Sequence, residues 1–418
     1  MANIISLTVE NFRSYKEETT FTFEAIDADA CSGNYHDVEL TKGETIRLLN
    51  SAVIYGANAA GKSTIITALW ALVSFVRESR DKDPEEKIPY EPYLFSSKTK
   101  DSPIKLKIDF IVNKERYIYS ISYNQMCFVE EKLFSKTQNV DIFDRNKDGV
   151  VEFNSTFLPE FKQITYLKNH LALSKLSLEA NALIQSIYKE LSSIVTIPLL
   201  ESRSIWGNTQ EIASHILKQP QSRFSKMIKD LIVLSDTQIV DVNVSKNNLK
   251  LPESWSNAEK KDFLDKYSYE IKLIHNTEEG DTTALPFNAE SAGTKTLFTA
   301  GARVLEALEN GSFLAYDEMN IALHPKLFRR LVELFHNETT NPKHAQLLIT
   351  THDATLLEDN LMRADQIWFA EKKDGQSNIY SAIDFEGVSI DQPFETWYRA
   401  GRMGGRPNIR PFKFDAEK

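Results

Sequence analysis

The string GANAAGKS, residues 56–63, sets Gly56, Gly61, Lys62 and Ser63 at a spacing that suits a phosphate group. Glycines let backbone N–H groups turn inward, and a helix starting at the same point adds the positive end of its dipole. Asn58, Ala59, Ala60, Gly61 and Thr64 would line that cradle. Lys62 would reach the β- and γ-phosphates, and the Ser63 hydroxyl would ligate Mg²⁺. Further along, SFLAYDE (residues 312–318) is an apolar strand ending in two carboxylates. Asp317 then falls at the C-terminal edge of a sheet, where open α/β folds bind ligands, in position to hold Mg²⁺. Glu318 would orient or deprotonate an attacking water. In SAGTK, residues 291–295, Ser291 and Gly293 open an apolar helix and offer a second anion nest, although a plain N-cap serine reads the same way. LLITTHD ends a buried strand in Thr350, Thr351 and His352, the last a candidate γ-phosphate sensor against the plainer reading of a structural histidine.

These residues need an α/β scaffold. LLNSAVIYG reads as a buried strand entering the glycine loop, and KSTIITALWALVSFVRES as a buried helix leaving it. The opening NIISLTVENFRSYKEETTFTFEA alternates like two short strands joined near Arg13, Ser14 and Tyr15, and residues 29–45 read as a polar loop. After a charged hinge at residues 81–87 comes PIKLKIDFIVNKERYIYSISYNQMCFVEEKLF, a meander of about three strands, with Glu130 and Glu131 expected at a solvated strand end. FLPEFKQITYLKNHLAL, SLEANALIQSIYKELSSIV and SRFSKMIKDLIVL have helical periods, NAEKK reads as a turn, and SYEIKLIH as a strand. HPKLFRRLVELFHN reads as a helix, and ADQIWFAEK and NIYSAIDF as strands. The expected division is residues 1–153 and 275–418 as two parts of one head, with 154–274 as a compact, mainly helical insertion.

Bulk properties narrow the classes. Only Cys31 and Cys127 occur, without metal-ligand spacing, which argues against a disulfide framework or zinc module and fits a reducing cytoplasm. The start lacks a basic, apolar leader, and no stretch approaches the roughly 20 apolar residues of a membrane helix. A formal charge of −10 disfavours indiscriminate coating of nucleic acid.

Taken together, GANAAGKS, SAGT, YDE and THD in this order resemble the ABC-type ATPase head shared by SMC proteins, RecF and OLD-type ATPases. ISLTVENFRSY resembles the family's N-terminal strand pair, which makes Arg13 a candidate phosphate contact. The resemblance puts Ser291, Ala292 and Gly293 on the signature motif, Asp317 and Glu318 on Walker B, His352 on the switch histidine and NIALHP (residues 320–325) on the D-loop. Two departures stand out. The signature lacks the Leu-Ser-Gly-Gly-Gln form, and YEPYLFSS (residues 90–97) has no glutamine where a Q-loop is expected. DEMNIALHPKL, THDATLL and WYRAGRMGGRPNI look closer to stand-alone ATPases of bacterial antiphage and abortive-infection loci, the RloA/AbiLi group and the ATPase of the PARIS system.

The resemblance implies ATP with Mg²⁺, hydrolysis by Glu318, His352 and Lys62, and a head-to-tail homodimer or larger assembly. In such a pair Ser291 and Gly293 of one copy complete the site of the other. It further implies a motor or sensor subunit controlling a separately encoded effector, such as a Toprim-type nuclease, with DNA or a phage product as trigger. About 65 residues beyond His352 are too few for a nuclease domain in the same chain. A RecF-like repair or chromosome-maintenance ATPase is the alternative, and a transporter motor is disfavoured by the long stretch between residues 63 and 291. Arg399, Arg402, Arg406, Arg410 and Lys413 form a basic C-terminal strip, read either as a docking strip for nucleic acid or an acidic partner, or as a tail packed on its own head.

Overall fold

The computed structural model describes residues 3–28, 30–161, 163–179, 181–198, 205–235, 238–389 and 394–403. Its centre is a six-stranded sheet in the order Val195–Ile197, Phe313–Tyr316, Gln346–Thr350, Ser51–Gly56, Ile367–Lys373, Gln376–Ser381. All neighbours are parallel except the last pair, a hairpin on the edge. Every residue of Ser51–Gly56 is buried, as a parallel strand covered on both faces requires. An eight-stranded antiparallel sheet lies alongside and includes Asn3–Glu10, Ile104–Val112, Glu115–Tyr123 and Phe128–Ser135. The helix Lys62–Glu78 fills the space between the sheets. Its Ile65, Ile66, Leu69, Leu72 and Val76 share one core with Ile108 and Phe110 of the antiparallel sheet and Ile54 of the parallel one. The fold is α/β, a mixed, mostly parallel sheet beside an antiparallel one with the glycine loop between strand and helix.

Several local readings change. The expected loop at residues 29–45 contains the strand Tyr35–Glu39, which pairs with Thr45–Leu49 around a turn where Gly43 has φ 81°. Its Asp37 and Glu39 are exposed and its one buried residue is a histidine, so the apolar signal is faint. The single strand expected at LLNSAVIYG is two strands, Thr45–Leu49 and Ser51–Gly56, in different sheets. FLPEFKQITYLKNHLAL forms no long helix. Its middle pairs as Gln163–Thr165 with Val150–Phe153, and helix begins only at Ala172. Asn169 and His170 instead turn their side chains to the carbonyls of Asp83, Glu86 and Lys82, holding that segment as a loop.

NAEKK is no turn, for it starts the helix Asn257–Tyr267. None of that helix's residues is buried, so it shows no apolar period, but its Ser256–Glu259 capping box is legible in the sequence. Within residues 154–274 lie several helices, and also the strands Val195–Ile197, Ile239–Lys246 and Tyr269–Asn276. The first of these joins the central sheet beside Phe313–Tyr316. The acidic pair at 130–131 divides: Glu130 is exposed, whereas Glu131 is fully buried and meets Arg145 at 3.7 Å. No described helix is long and apolar enough to cross a membrane.

Candidate functional site

The strands Ser51–Gly56, Phe313–Tyr316 and Gln346–Thr350 run parallel and end together, and the residues singled out by spacing gather there. Arg13, Asn58, Ala59, Ala60, Gly61, Lys62, Ser63, Thr64, Glu318 and His352 all line one open cleft of 690 Å³. The loop needs its second glycine for two reasons. Gly61 has φ 109°, and a Cβ there would lie 2.6 Å from the Ser377 hydroxyl of the edge strand. Right behind it starts the helix Lys62–Glu78, whose N-terminal residues line the cleft and whose Thr64 N donates back to the Gly61 carbonyl at 3.1 Å.

Lys62 donates from Nζ to the carbonyls of Gly56 at 2.9 Å and Ala57 at 3.1 Å, and lies 3.1 Å from His352 Nε2. Burial pulls its pKa down, while Glu318 and Asp317 pull it the other way. Ser63 donates its hydroxyl to Asp317 Oδ1 at 3.0 Å. Thr350, fully buried, donates to the same carboxylate oxygen and accepts from the backbone N–H of Glu318 at 2.8 Å. One hydroxyl thus ties the Asp317 carboxylate to the Glu318 backbone. Glu318 itself sits in the left-handed region at φ 51°, uncommon for a non-glycine residue, and its Oε1 lies 3.5 Å from His352 Nε2. Burial and the Lys62 ammonium lower the His352 pKa, against the pull of Glu318, which favours the neutral imidazole.

Arg13 stands at the rim with φ 51°. It pairs with Glu91 and donates to Thr67 Oγ1 at 3.1 Å, one turn into the loop's helix. Beside it Tyr15 reaches the Gly61 carbonyl at 3.4 Å. The buried hydroxyls of Ser14 and Ser377 have no hydrogen-bond partner among the described residues.

Ser291 and Gly293 are not among the residues that line this cleft. Ser291 is exposed and caps the helix Ala292–Asn310, accepting from Thr294 N at 3.0 Å. A Cβ on Gly293 would come within 3.0 Å of the Ala322 carbonyl, so the signature-like turn packs closely on the NIALHP loop. The preceding Glu290 is held by His275 at 2.8 Å. In the C-terminal strip, Arg399 pairs with Glu395, and Tyr398 packs against Tyr55 and Phe369 of the central sheet. As far as Met403, which is buried, the segment packs on the head, while Arg399 and Arg402 stay exposed. Arg406, Arg410 and Lys413 lie outside the described residues.

Sequence reasoning did not single out Thr350 as the link from the Asp317 carboxylate to the Glu318 backbone, nor Ser14, Phe95 and Lys372 as cleft residues. For Thr350 a signal existed, a polar residue ending a buried apolar run just before Thr351 and His352. Phe95 and Lys372 come from a loop and an edge hairpin that only folding brings together.

A family model described as "AAA domain, putative AbiEii toxin, Type IV TA system" matches residues 51–358. No curated protein matches significantly. Among solved structures, the chain is similar to an SMC head bound to the C-winged helix domain of ScpA, at 15% identity and a TM-score of 0.44 over 90% of this chain and 97% of that one. It is similar to the SMC head domain from Thermotoga maritima at 14% identity and a TM-score of 0.41, over 91% and 98%. It is also similar to the recombination mediator RecF with ATP at 12% identity and a TM-score of 0.39, over 91% and 98%. With the family model spanning well over half of its length, the chain belongs to this AAA-domain family and is an ATP-hydrolysing P-loop NTPase.

Proposed function

We propose that the cleft binds ATP with Mg²⁺ and that two copies of the chain close head to tail around it. The observation that carries this reading is the hydrogen-bonded chain from Ser63 through Asp317 and Thr350 to Glu318, with His352 between Glu318 and Lys62. Lys62 and the loop N–H groups of residues 58–64 neutralise the phosphates, and Arg13 adds charge at the rim. Ser63 Oγ and Asp317 Oδ1 form a hard oxygen pair suited to Mg²⁺, which when bound supplies positive charge against the phosphate oxygens. Glu318 takes a proton from the attacking water, and His352 senses the γ-phosphate. Ser291 and Gly293 serve the other copy, which accounts for their place outside their own cleft. On this reading residues 1–153 and 275–418 make most of the head, and 154–274 is an insertion that returns the strands Gln163–Thr165 and Val195–Ile197 to the head's sheets.

At the level of biology, the chain works as a motor or sensor ATPase of a bacterial antiphage defence complex, governing a separately encoded effector such as a nuclease. The toxin–antitoxin wording of the family description is compatible with that choice, and a RecF-like repair role fits the same site equally well. A Toprim-like or other nuclease in the neighbouring reading frame would support it further, and replication genes there would favour repair.

The biochemical part is tested with two variants. Lys62→Ala should lose ATP binding, and tight binding by that variant would remove the central claim. Glu318→Gln should bind ATP, hydrolyse it about 10²–10⁴-fold more slowly, and elute as a dimer with ATP and Mg²⁺. A monomer under those conditions would refute the head-to-tail closure.

A further inference from the structure

Phe95 is 72% exposed, yet it lines the same cleft as Lys62 and Glu318. A single exposed apolar ring is ordinary on a surface, but this one is held at the edge of the phosphate cleft by a well-anchored loop. The anchoring is thorough. Asn11 donates from Nδ2 to the carbonyls of Thr99 at 2.8 Å and Ser102 at 2.7 Å, and accepts from the backbone N–H of Tyr93 at 3.1 Å. Thr99 donates its hydroxyl to the Tyr93 carbonyl at 2.8 Å, closing the loop on itself. Tyr93 meets the Phe95 ring edge-on at 5.6 Å, and Gly375 leaves room beside it, since a Cβ there would touch the ring at 3.5 Å. Lys372 Nζ hovers 5.7 Å from the ring centroid.

The sheet order says which part of a nucleotide comes here. Glu318 and His352 follow the strands Phe313–Tyr316 and Gln346–Thr350, on one side of Ser51–Gly56. Lys372 and Gly375 belong to the hairpin on the other side, whose Ser377 packs against Gly61. A nucleotide lying across the loop with its terminal phosphate toward Glu318 and His352 must run its base toward Lys372 and Phe95.

We propose that Phe95 is the platform on which the purine base of the nucleotide stacks, with Lys372 closing over its edge. The proposal rests on the reading of the cleft as an ATP site. Because the ring offers a face and no hydrogen bond, it selects for a flat aromatic base and not for one pattern of base edges.

The test is equilibrium titration of the full chain with a non-hydrolysable ATP analogue, with inorganic tripolyphosphate as a probe lacking a base. Phe95→Ala should weaken the analogue about tenfold and leave tripolyphosphate unchanged, while Phe95→Trp keeps the affinity. Unaltered analogue binding by Phe95→Ala would overturn the platform alone, as would an equal loss for both probes, which would mean that the ring only supports the loop. Failure of the unmutated chain to bind the analogue would instead overturn the reading of the cleft, and the platform with it.

Discussion

Two clusters in this molecule share the same chemical parts, a glutamate, a cation and the start of a helix, and put them to different use. In the antiparallel lobe Glu131 accepts from Ala172 N at 2.6 Å, Leu173 N at 2.9 Å and Tyr119 Oη at 2.8 Å, and it faces Arg145. Both charged side chains are wholly buried. Burial pushes the Glu131 carboxyl up, and Arg145, the two helix N–H groups and Tyr119 pull it back. Every oxygen is satisfied, so the cluster locks the helix Ala172–Leu176 to the sheet. In the cleft, Glu318 and His352 keep 21% and 38% of their side-chain surface. Lys62 spends its hydrogen bonds on two carbonyls of its own loop and on a neutral imidazole, partners that a phosphate outcompetes. What separates structure from function here is access to solvent and partners that can be exchanged.

The sharpest break of that contrast is truncation. Glu131→Ala strands a buried guanidinium and should lower the unfolding free energy by about 3–5 kcal/mol in denaturant titrations. Glu318→Gln, on the open side, should stay within about 0.5 kcal/mol of the parent. Equal losses would erase the distinction between the clusters.

Imidazoles extend the comparison. His36 lies in the strand Tyr35–Glu39, bonded to Asn50 Oδ1 at 2.7 Å and stacked on His344. Burial is the main reason that its pKa falls from 6.5 to about 4, with His344 adding to it and Asp37 and Asn50 opposing. Between those values the unfolded chain binds the proton and the folded chain does not, so folding weakens as pH drops. The loss is complete near pH 4 and amounts to about 3 kcal/mol. Urea midpoints measured from pH 7 to pH 4 should fall less steeply in His36→Gln, and parallel curves would contradict this account.

A smaller effect sharpens the cleft's own logic. Thr350→Val removes the hydroxyl that joins Asp317 to the Glu318 backbone and should cut kcat about tenfold, with ATP affinity unchanged. Thr350→Ser should restore the rate. A drop in affinity equal to the drop in rate would make Thr350 a packing residue and not a positioning one.

Much of the cleft was legible because its parts are local. A glycine loop between a buried strand and a helix, or two carboxylates ending an apolar strand, can be read from a few adjacent residues. The polar hairpin Tyr35–Glu39 and the surface helix Asn257–Tyr267 escaped periodicity because neither presents a continuous apolar face. Glu131 escaped because burial of a charge depends on partners far away in sequence, here Arg145 and the helix after Leu171.

By itself the sequence determined the phosphate loop, the paired carboxylates, the histidine after its strand and an α/β scaffold, since hydrogen-bonding type and apolar period act over short range. Tertiary structure alone decided that Thr350 ties Asp317 to the Glu318 backbone, that Lys62 Nζ comes within 3.1 Å of His352 Nε2, that Ser291 stands apart from its own cleft and that Phe95 lines it. Those facts depend on the order of strands in the central sheet. That order is set by the packing of two sheets around one buried helix and by no run of neighbouring residues.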